Sequence, residues 1–434
     1  MLGIGIFITP AQVAEHMPGP GAFLGMWLLG GIVALCGALS LAELGAMMPR
    51  SGGDYSYLRK AWGPGVAYAA GWLQLLVIFP GSLASVAVAT STYQVPVLWQ
   101  RFLGGEMPHA IGLAGMQVPT PYFVAIAIIL ALTALNHVGV KISGLVQVVV
   151  TSVPLLILLI ASVAVLASPE TESLTAGAGH GMHEFTLSGF GKAYLGVYFA
   201  YSGWNAAIFV GGEIQDPGRN LPRALVGGTA LVTVAYLVLC MGFLAVFGYC
   251  VLPGVGEAGT AAAVKLFGDE GVGVITLLIL FAMMGSLNGT VMIGSRIAFA
   301  MARKGDCFRP AGQLNETYGT PTIALWMQAG IAVLLLITVP ALDELINYTS
   351  SAMLITGTLT VLSVIVLRRA LPEIERPYRV LAFPDPTVAY AVSSVAVLAL
   401  VIADADWSVL IAVGWFAGAL AWYRFRNGKE DVSV

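Results

Sequence analysis

Charged residues are scarce in this chain. Asp, Glu, Lys and Arg together account for 10% of its 434 residues, whereas about a quarter of a typical soluble domain is charged. Apolar residues account for 58%. The net charge of -3 gives no sign of a nucleic-acid partner. This composition predicts a polytopic membrane protein that lies within a lipid bilayer.

Metal-binding and redox residues are also few. The four cysteines form no CxxC pair, so neither a redox motif nor a zinc motif is supported. His180 and His183 have an i, i+3 spacing that could hold a metal ion, but no third ligand is nearby, which favours a solvated loop. An intramembrane haem or metal centre needs clustered histidines or carboxylates. We therefore expect no metal, no cofactor and no enzymatic activity.

Long apolar runs fill most of the chain. A membrane-spanning helix needs about 20 mostly apolar residues, and eleven such runs occur. They lie at about 21–48, 65–98, 121–138, 143–167, 187–213, 222–250, 272–302, 321–340, 345–367, 384–404 and 407–423. Residues 1–17 form a twelfth, shorter segment, which the turn-forming sequence MPGP ends. The pattern predicts an all-α polytopic protein with twelve helices in a single transmembrane domain, residues 1–434.

Lys and Arg lie almost entirely on one side of the predicted bundle. With twelve segments, 17 of the 20 basic residues fall in alternate loops and in the C-terminal tail. The positive-inside rule places these loops and the C-terminus in the cytoplasm. We therefore expect a multi-pass integral protein of the cell (plasma or inner) membrane.

Glycine interrupts two of the twelve segments. The sequence GIGIF at 3–7 lies in the first segment, and Ser202–Gly203 lies in the sixth. These segments hold the same position in two groups of five, at about 1–167 and about 187–367, and the helices at about 384–423 follow. Paired interrupted helices at matching positions indicate a transporter site built from inverted repeats.

Unwound backbone at such a break offers free hydrogen-bonding groups. N–H groups at the start of a half-helix suit a carboxylate, and free carbonyls suit an ammonium; these are the two ends of an amino acid. Glycine also serves close helix packing in membranes, and Tyr198, Phe199, Tyr201 and Trp204 could equally be packing residues. Their position beside a glycine break and next to Asn205 favours the wall of a pocket.

Longer motifs along the chain carry a resemblance to a known family. They are GIGIFITP at 3–10, AELGAMMPRSGGDYSYLRKAWGP at 42–64, NHVGVKISG at 136–144, FAYSGWN at 199–205, GEIQDPGRNLPRA at 212–224, GSLNGTVMIGSRIAFAMARKGDCF at 285–308 and LRRALPEIERPYRV at 367–380. The chain resembles the amino acid–polyamine–organocation superfamily, in particular its L-amino-acid transporter branch. The resemblance implies a five-plus-five inverted repeat, discontinuous first and sixth helices, and alternating access to a central amino acid site.

The resemblance also implies which residues bind substrate. In the first helix, the amides around Gly3, Ile4, Gly5 and Ile6 would bind the carboxylate. In the sixth helix, Phe199 would be the gating aromatic, and backbone carbonyls of Phe199 and its neighbours would accept from the ammonium. The expected site residues of the sixth helix are Phe199, Tyr201, Ser202, Gly203, Trp204 and Asn205.

Four polar residues have two open interpretations. Asn288, on the eighth helix, would either contact substrate or bridge to the first helix, or it would hydrogen-bond a neighbouring helix. Glu213, Arg219 and Arg223 are expected at the cytoplasmic mouth, where they would form gating pairs or set the topology. Glu43, at the end of the second segment, is expected to pair with a basic loop residue.

Two departures from the family pattern bear on mechanism. Ile4 stands where the family usually has serine, so carboxylate binding would depend on backbone N–H groups alone. Many sodium-independent members carry a lysine in the fifth helix, where this chain has Pro154, and 143–167 contains no Lys. The sequence therefore identifies neither a proton carrier nor a fixed cation, and coupling to sodium, coupling to protons and simple exchange all remain open.

These observations predict a secondary active transporter, a permease or an exchanger. We expect neutral amino acid substrates because the candidate site residues carry no ionised side chain. The alternative is transport of cationic amino acids, polyamines or other amines on the same fold, and a channel-like or receptor protein is a further possibility.

The first segment is short for a complete spanning helix. Its 17 residues reach roughly 25 Å when fully helical. We expect either an upstream in-frame start codon that adds about 10–30 residues, or a protein that keeps only the outer half of its first helix.

Overall fold

The computed structural model describes residues 3–49, 52–113, 116–139, 143–167, 184–339, 341–404 and 407–427, most of which are helical. The α-helices in chain order are α1 (Gly5–His16), α2 (Pro20–Met47), α3 (Gly53–Ala61), α4 (Pro64–Leu73), α5 (Phe79–Leu103), α6 (Thr120–Val138), α7 (Ser143–Leu166), α8 (Leu187–Tyr201), α9 (Pro217–Pro222), α10 (Gly228–Phe247), α11 (Ala258–Arg303), α12 (Thr322–Thr338), α13 (Leu342–Ala370), α14 (Asp385–Ala403) and α15 (Trp407–Asn427). His180 and His183 lie outside the described residues.

Shorter elements connect these helices. π-helical turns join α4 to α5 at Gln74–Ile78 and α9 to α10 at Arg223–Gly227. 3₁₀-helical turns lie at Ala206–Glu213, Leu252–Gly254 and Arg309–Gly312. The strands β1 (Ala110–Leu113) and β2 (Met116–Pro119) form an antiparallel hairpin in which Ala110 lies opposite Pro119.

Seven helical stretches of the described chain are long and apolar enough to cross a membrane. They are Pro20–Met47, Pro64–Leu103, Thr120–Val138, Pro217–Phe247, Gly271–Arg303, Leu342–Ala370 and Asp385–Ala403. The prediction of an all-α polytopic protein is therefore confirmed. The count of twelve spanning helices stays a prediction, as does the division into two repeats.

The helix ends follow local sequence signals. The predicted turn at MPGP is confirmed, because α1 ends at His16 and α2 begins at Pro20. Proline suits the first position of a helix because the N–H that it lacks would have no partner there. Thr186 caps α8 by accepting a hydrogen bond from the Gly189 N–H at 3.0 Å. α11 bends at Gly268, whose φ of 56° interrupts the helix.

The two predicted breaks differ from each other in the structure. α8 ends at Tyr201, and a turn over 202–205 separates it from the 3₁₀ segment, so the break at Ser202–Gly203 is confirmed. In the first segment the break was expected over 3–7, but α1 begins at Gly5. The reason is that the Ile4 carbonyl accepts the N–H groups of both Phe7 (2.9 Å) and Ile8 (3.1 Å), which closes the first turn.

Candidate binding site at the helix breaks

A cavity of about 1010 Å³ lies beside both helix breaks. Its wall is formed by the start of α1, the α8 break, the middle of α11, parts of α5 and α13, and the π-turn that follows α4. Ligand pockets typically span about 300–1,000 Å³, so this cavity is large enough for a small molecule together with water.

The N-terminus of α1 supplies hydrogen-bond donors to the cavity. The first N–H groups of a helix have no partner within the helix, and Gly3, Ile4 and Gly5 line the cavity. A Cβ on Gly5 would lie 2.5 Å from Ala200 Cα, so only glycine allows α1 to start this close to α8. The positive end of the helix dipole therefore faces the cavity beside the last turn of α8.

The C-terminal turn of α8 supplies acceptors beside these donors. Gly203 has a φ of 88°, which favours glycine and turns the chain out of the helix. The Phe199 carbonyl accepts the Ser202 N–H at 3.0 Å, and the Ala200 carbonyl accepts the Tyr236 hydroxyl at 2.9 Å. A carbonyl oxygen has two lone pairs, so each of these two retains one acceptor position.

Most of the predicted substrate-binding residues come together at the cavity. Those that line it are Gly3, Ile4, Gly5, Phe199, Ser202, Gly203, Trp204 and Asn205. Ile6 is fully buried and is not among the lining residues. Tyr201 points elsewhere: its hydroxyl donates to the Trp27 carbonyl at 3.0 Å, and its ring packs against Tyr236.

Asn288 does not line the cavity either. Asn136 Nδ2 of α6 donates to Asn288 Oδ1 at 2.7 Å, so the two amides join α6 to α11. Asn136 itself lines the cavity. The contact therefore favours the helix–helix interpretation of Asn288 over direct substrate binding.

The residues expected at the mouth lie beyond the α8 break. Arg219 and Arg223 are exposed and do not line the cavity. Glu213 ends the 3₁₀ segment, but its side chain lies outside the described part of the structure. Ile214, the next residue, does line the cavity.

Two charged residues of the cavity were not among the predicted site residues. Asp54 of α3 and Arg296 of α11 both line it, whereas the candidate residues named from the sequence carry no ionised side chain. Asp54 lies in the loop motif SGGD between two apolar runs, so the apolar pattern placed it outside the helices. The sequence signal that could have identified Asp54 is the pair of glycines directly before it, because glycine permits close backbone packing.

An aromatic wall lies behind the α8 break. The Tyr198 and Tyr390 hydroxyls are 2.7 Å apart, and the rings of Trp204 and Tyr390 are 5.5 Å apart between centroids. A Cβ on Gly37 would lie 2.6 Å from the Trp204 ring. These contacts fix Trp204 between the cavity and α14, so it serves in both packing and the cavity wall.

Glu43 forms the ion pair that was expected of it, with partners far along the chain. Its carboxylate accepts Arg368 Nε at 2.8 Å and Arg368 Nη2 at 2.5 Å, and Arg376 Nε lies 3.3 Å away. The Val380 N–H donates to Glu43 at 2.8 Å. The negative charge of the buried carboxylate is therefore balanced by two arginines and a backbone N–H.

The two ends of the cavity differ in their closure. Residues 318–321, in the loop after α11, line one end, and Tyr318 is 43% exposed there. At the far end of α1, Gln12 Nε2 donates to Asp343, and the Tyr249 hydroxyl donates to the Ala14 carbonyl at 2.9 Å. The cavity thus opens beside the α11–α12 loop, while the C-terminal end of α1 is tied to its neighbours.

No cluster of three or more His, Cys, Asp or Glu side chains suited to a metal ion occurs in the part of the chain that the structure describes. The arrangement instead offers N–H donors, carbonyl acceptors and aromatic surface. Such a site can hold a small polar molecule.

Comparison with known proteins agrees with this geometry. Residues 1–420 match the family described as "Amino acid permease". The mouse b(0,+)-type amino acid transporter 1 is 31% identical over 98% of this chain and 84% of its own length. The Bacillus subtilis serine/threonine exchanger SteT is 28% identical over 99% of this chain and 94% of its own. The mouse large neutral amino acids transporter small subunit 2 is 31% identical over 88% and 71% of the two chains. The chain therefore belongs to the amino acid permease family and is an amino acid transporter, not an enzyme.

Proposed function

We propose that this protein is a secondary carrier of neutral amino acids that works by alternating access. The observation that carries the proposal is the meeting of the α1 N-terminus and the last turn of α8 at one cavity wall, where Gly5 touches Ala200. Helix N-termini bind carboxylates, and helix C-termini bind cations. Placed side by side, they match the two charged ends of an amino acid.

The neutral class is supported by what surrounds this backbone site. Phe199, Trp204 and Met353 supply apolar surface to the cavity. Asp54 is the cavity's carboxylate among the described lining residues, and at 3% exposure it presents little surface to a substrate side chain. Two relatives carry names that state neutral substrates, serine and threonine in one and large neutral amino acids in the other.

The proposed orientation puts the open end of the cavity in the cytoplasm. Arg303 ends α11, and the α11–α12 loop that borders the cavity contains Lys304 and Arg309; basic loops face the cytoplasm. The structure then corresponds to an inward-facing state in a cell membrane, with a cytoplasmic C-terminus. Alternating access requires the contacts of Gln12 with Asp343 and of Tyr249 with Ala14 to open when this end closes.

Exchange in liposomes tests the proposal. Purified protein is reconstituted into vesicles loaded with an unlabelled neutral L-amino acid, and uptake of the radiolabelled amino acid is followed. We expect uptake that neutral amino acids inhibit. Inhibition only by arginine, lysine or polyamines would assign the protein to the cationic class instead, and uptake that does not saturate with substrate concentration would indicate a channel.

A pair of phenylalanine variants links transport to the site. Phe199→Ala removes the aromatic surface at the α8 break and is expected to abolish exchange. Phe281→Ala, on the exposed face of α11 (44% exposed), is the control and should exchange normally. Both variants should reach the membrane in similar amounts, and full exchange by Phe199→Ala would refute the site assignment.

A further inference from the structure

Asp54 is a buried carboxylate on the cavity wall. It lies in the first turn of α3 and is 3% exposed. Gly52 and Gly53 precede it with φ of 121° and 46°, and a Cβ on Gly53 would lie 2.4 Å from Phe209 Cδ1. The two glycines therefore let α3 start directly against the segment Ala206–Glu213, which brings Asp54 beside the α8 break.

Two side-chain amides are the hydrogen-bond donors to Asp54. Gln74 Nε2 donates to Oδ2 over 3.2 Å, and Asn205 Nδ2 donates to the same oxygen over 3.5 Å. Oδ1 has no hydrogen-bond partner among the described residues. The ion pairs of the described chain leave Asp54 without a cation.

An ionised carboxylate is unfavourable in this position. Burying one without a cation is energetically costly, and the positive end of the α3 dipole offsets only part of that cost. Burial accordingly raises the pKa of Asp54 to about 7, and the hydrogen bond from Gln74 lowers it by less. The neutral acid and the carboxylate are therefore both accessible near physiological pH.

The titratable groups around Asp54 come from several helices. Those that face it or share its cavity are Tyr57 of α3, Tyr198 of α8, Tyr390 of α14 and Arg296 of α11. The three phenols are uncharged near neutral pH. Two further cations of the packed elements have carboxylate partners of their own: Arg59 pairs with Asp306, and Arg368 pairs with Glu43.

We propose that Asp54 is the proton-binding residue of the transport cycle and that its ionisation controls the break in the sixth segment. This inference rests on the proposed function. A proton from water in the cavity adds to Oδ1 and converts the carboxylate to the neutral acid, and release reverses this step. A carboxylate accepts hydrogen bonds roughly twice as strong as those of a neutral group. Loss of the proton therefore tightens the contact with Asn205, a residue of the break itself.

The pH dependence of exchange tests the inference. Exchange of a neutral amino acid is measured in proteoliposomes between about pH 6 and about pH 8, over which the protonated fraction of a group with a pKa near 7 falls about tenfold. We expect the wild-type rate to change by up to about tenfold with a midpoint near 7. Asp54→Asn should exchange at a rate that does not vary with pH. Glu316 is an exposed carboxylate of the α11–α12 loop, and the control variant Glu316→Gln should keep the wild-type pH profile.

The outcomes separate this inference from the proposed function. Wild-type protein that exchanges no amino acid at any pH contradicts the proposed function. Exchange that does not depend on pH, or an Asp54→Asn variant that keeps the wild-type profile, overturns the role of Asp54 alone.

A second measurement needs no substitution at Asp54 itself. Infrared difference spectra of the wild-type protein should show the carbonyl stretch of a protonated carboxyl that disappears as the pH rises through about 7. Glu257, whose pKa burial also raises to about 7, contributes a similar band, and Glu257→Gln identifies its share. If no band remains in Glu257→Gln, Asp54 is ionised throughout and the proposal is wrong.

Discussion

Glu43 and Asp54 are two buried carboxylates, and their surroundings are opposite. Glu43, near the end of α2, accepts hydrogen bonds from Arg368 and from the Val380 N–H, with Arg376 close by. Asp54, at the start of α3, has only neutral amide donors. The Glu43 carboxylate joins α2 to α13 and to the chain that follows α13, whereas Asp54 borders the cavity.

The difference distinguishes a carboxylate that stays ionised and stabilises the fold from one that can bind and release a proton. A buried carboxylate with two arginines has its charge balanced inside the protein, and removing either side leaves an unpaired ion. A buried carboxylate with neutral partners balances its charge only by binding a proton. The first arrangement holds the bundle together, and the second can change during transport.

Glu43→Gln is expected to have the largest effect on stability. It leaves the buried Arg376 and the partly exposed Arg368 without their carboxylate, and breaking a buried ion pair in this way typically costs about 3–5 kcal/mol. The measurement is thermal unfolding of the purified protein in detergent. The exposed Glu316→Gln is the matched control and should unfold like wild type. A Glu43→Gln variant as stable as that control would show that the pair contributes nothing.

Asp54→Asn is expected to act in the opposite direction. The folded-state pKa of about 7 lies above the unfolded value of about 3.9. Wild-type stability therefore falls as the pH rises from about 4 to about 7, because only the unfolded chain releases this proton, and it stays lowered above that range. The variant should be more stable than wild type by up to about 4 kcal/mol at pH 7 and above. Equal unfolding temperatures for the two proteins across this range would contradict the assignment.

Asn288→Ala extends the comparison to an uncharged contact. Loss of the hydrogen bond from Asn136 should lower the free energy of unfolding by about 0.5–2 kcal/mol, as for other helix–helix hydrogen bonds in membranes. The substrate concentration for half-maximal exchange should not change. A large change in that concentration at unchanged stability would instead place Asn288 in contact with substrate.

Tyr390→Phe is expected to have the smallest effect. It removes one hydroxyl from the pair with Tyr198 but keeps the ring that packs against Trp204. A single neutral hydrogen bond contributes about 1 kcal/mol, so unfolding and exchange should both remain close to wild type. Loss of exchange in this variant would mean that the hydroxyl pair takes part in the transport cycle.

The helices and one break could be predicted from the sequence. Long apolar runs and turn residues such as those at 17–20 are local signals, and the break at Ser202–Gly203 depends on a glycine that reaches positive φ. The π-turn at Gln74–Ile78 and the hairpin β1–β2 have no such signal. The π-turn lies inside an apolar run, where hydrophobicity alone does not distinguish it from an α-helix.

The side chains of the site were only partly predictable. Ser202, Gly203, Trp204 and Asn205 line the cavity as expected, because they form the break itself. Tyr201 lies next to them in sequence but belongs to the last helical turn, whose direction carries its side chain to Trp27. Partners of Asp54 come from distant segments, so only the folded chain brings them together.

Binding of a neutral amino acid to purified protein with altered Gly5 is the most direct test of the site. Gly5→Ala places a methyl group against Ala200 Cα, where 2.5 Å is available, and must separate the two helix ends. Gly330→Ala adds a methyl group where nothing lies within 4 Å and is the control. The account predicts saturable binding of a radiolabelled neutral L-amino acid to wild type and Gly330→Ala, and loss of binding in a folded Gly5→Ala variant. Undiminished binding by Gly5→Ala, or no binding by the wild-type protein, would contradict it.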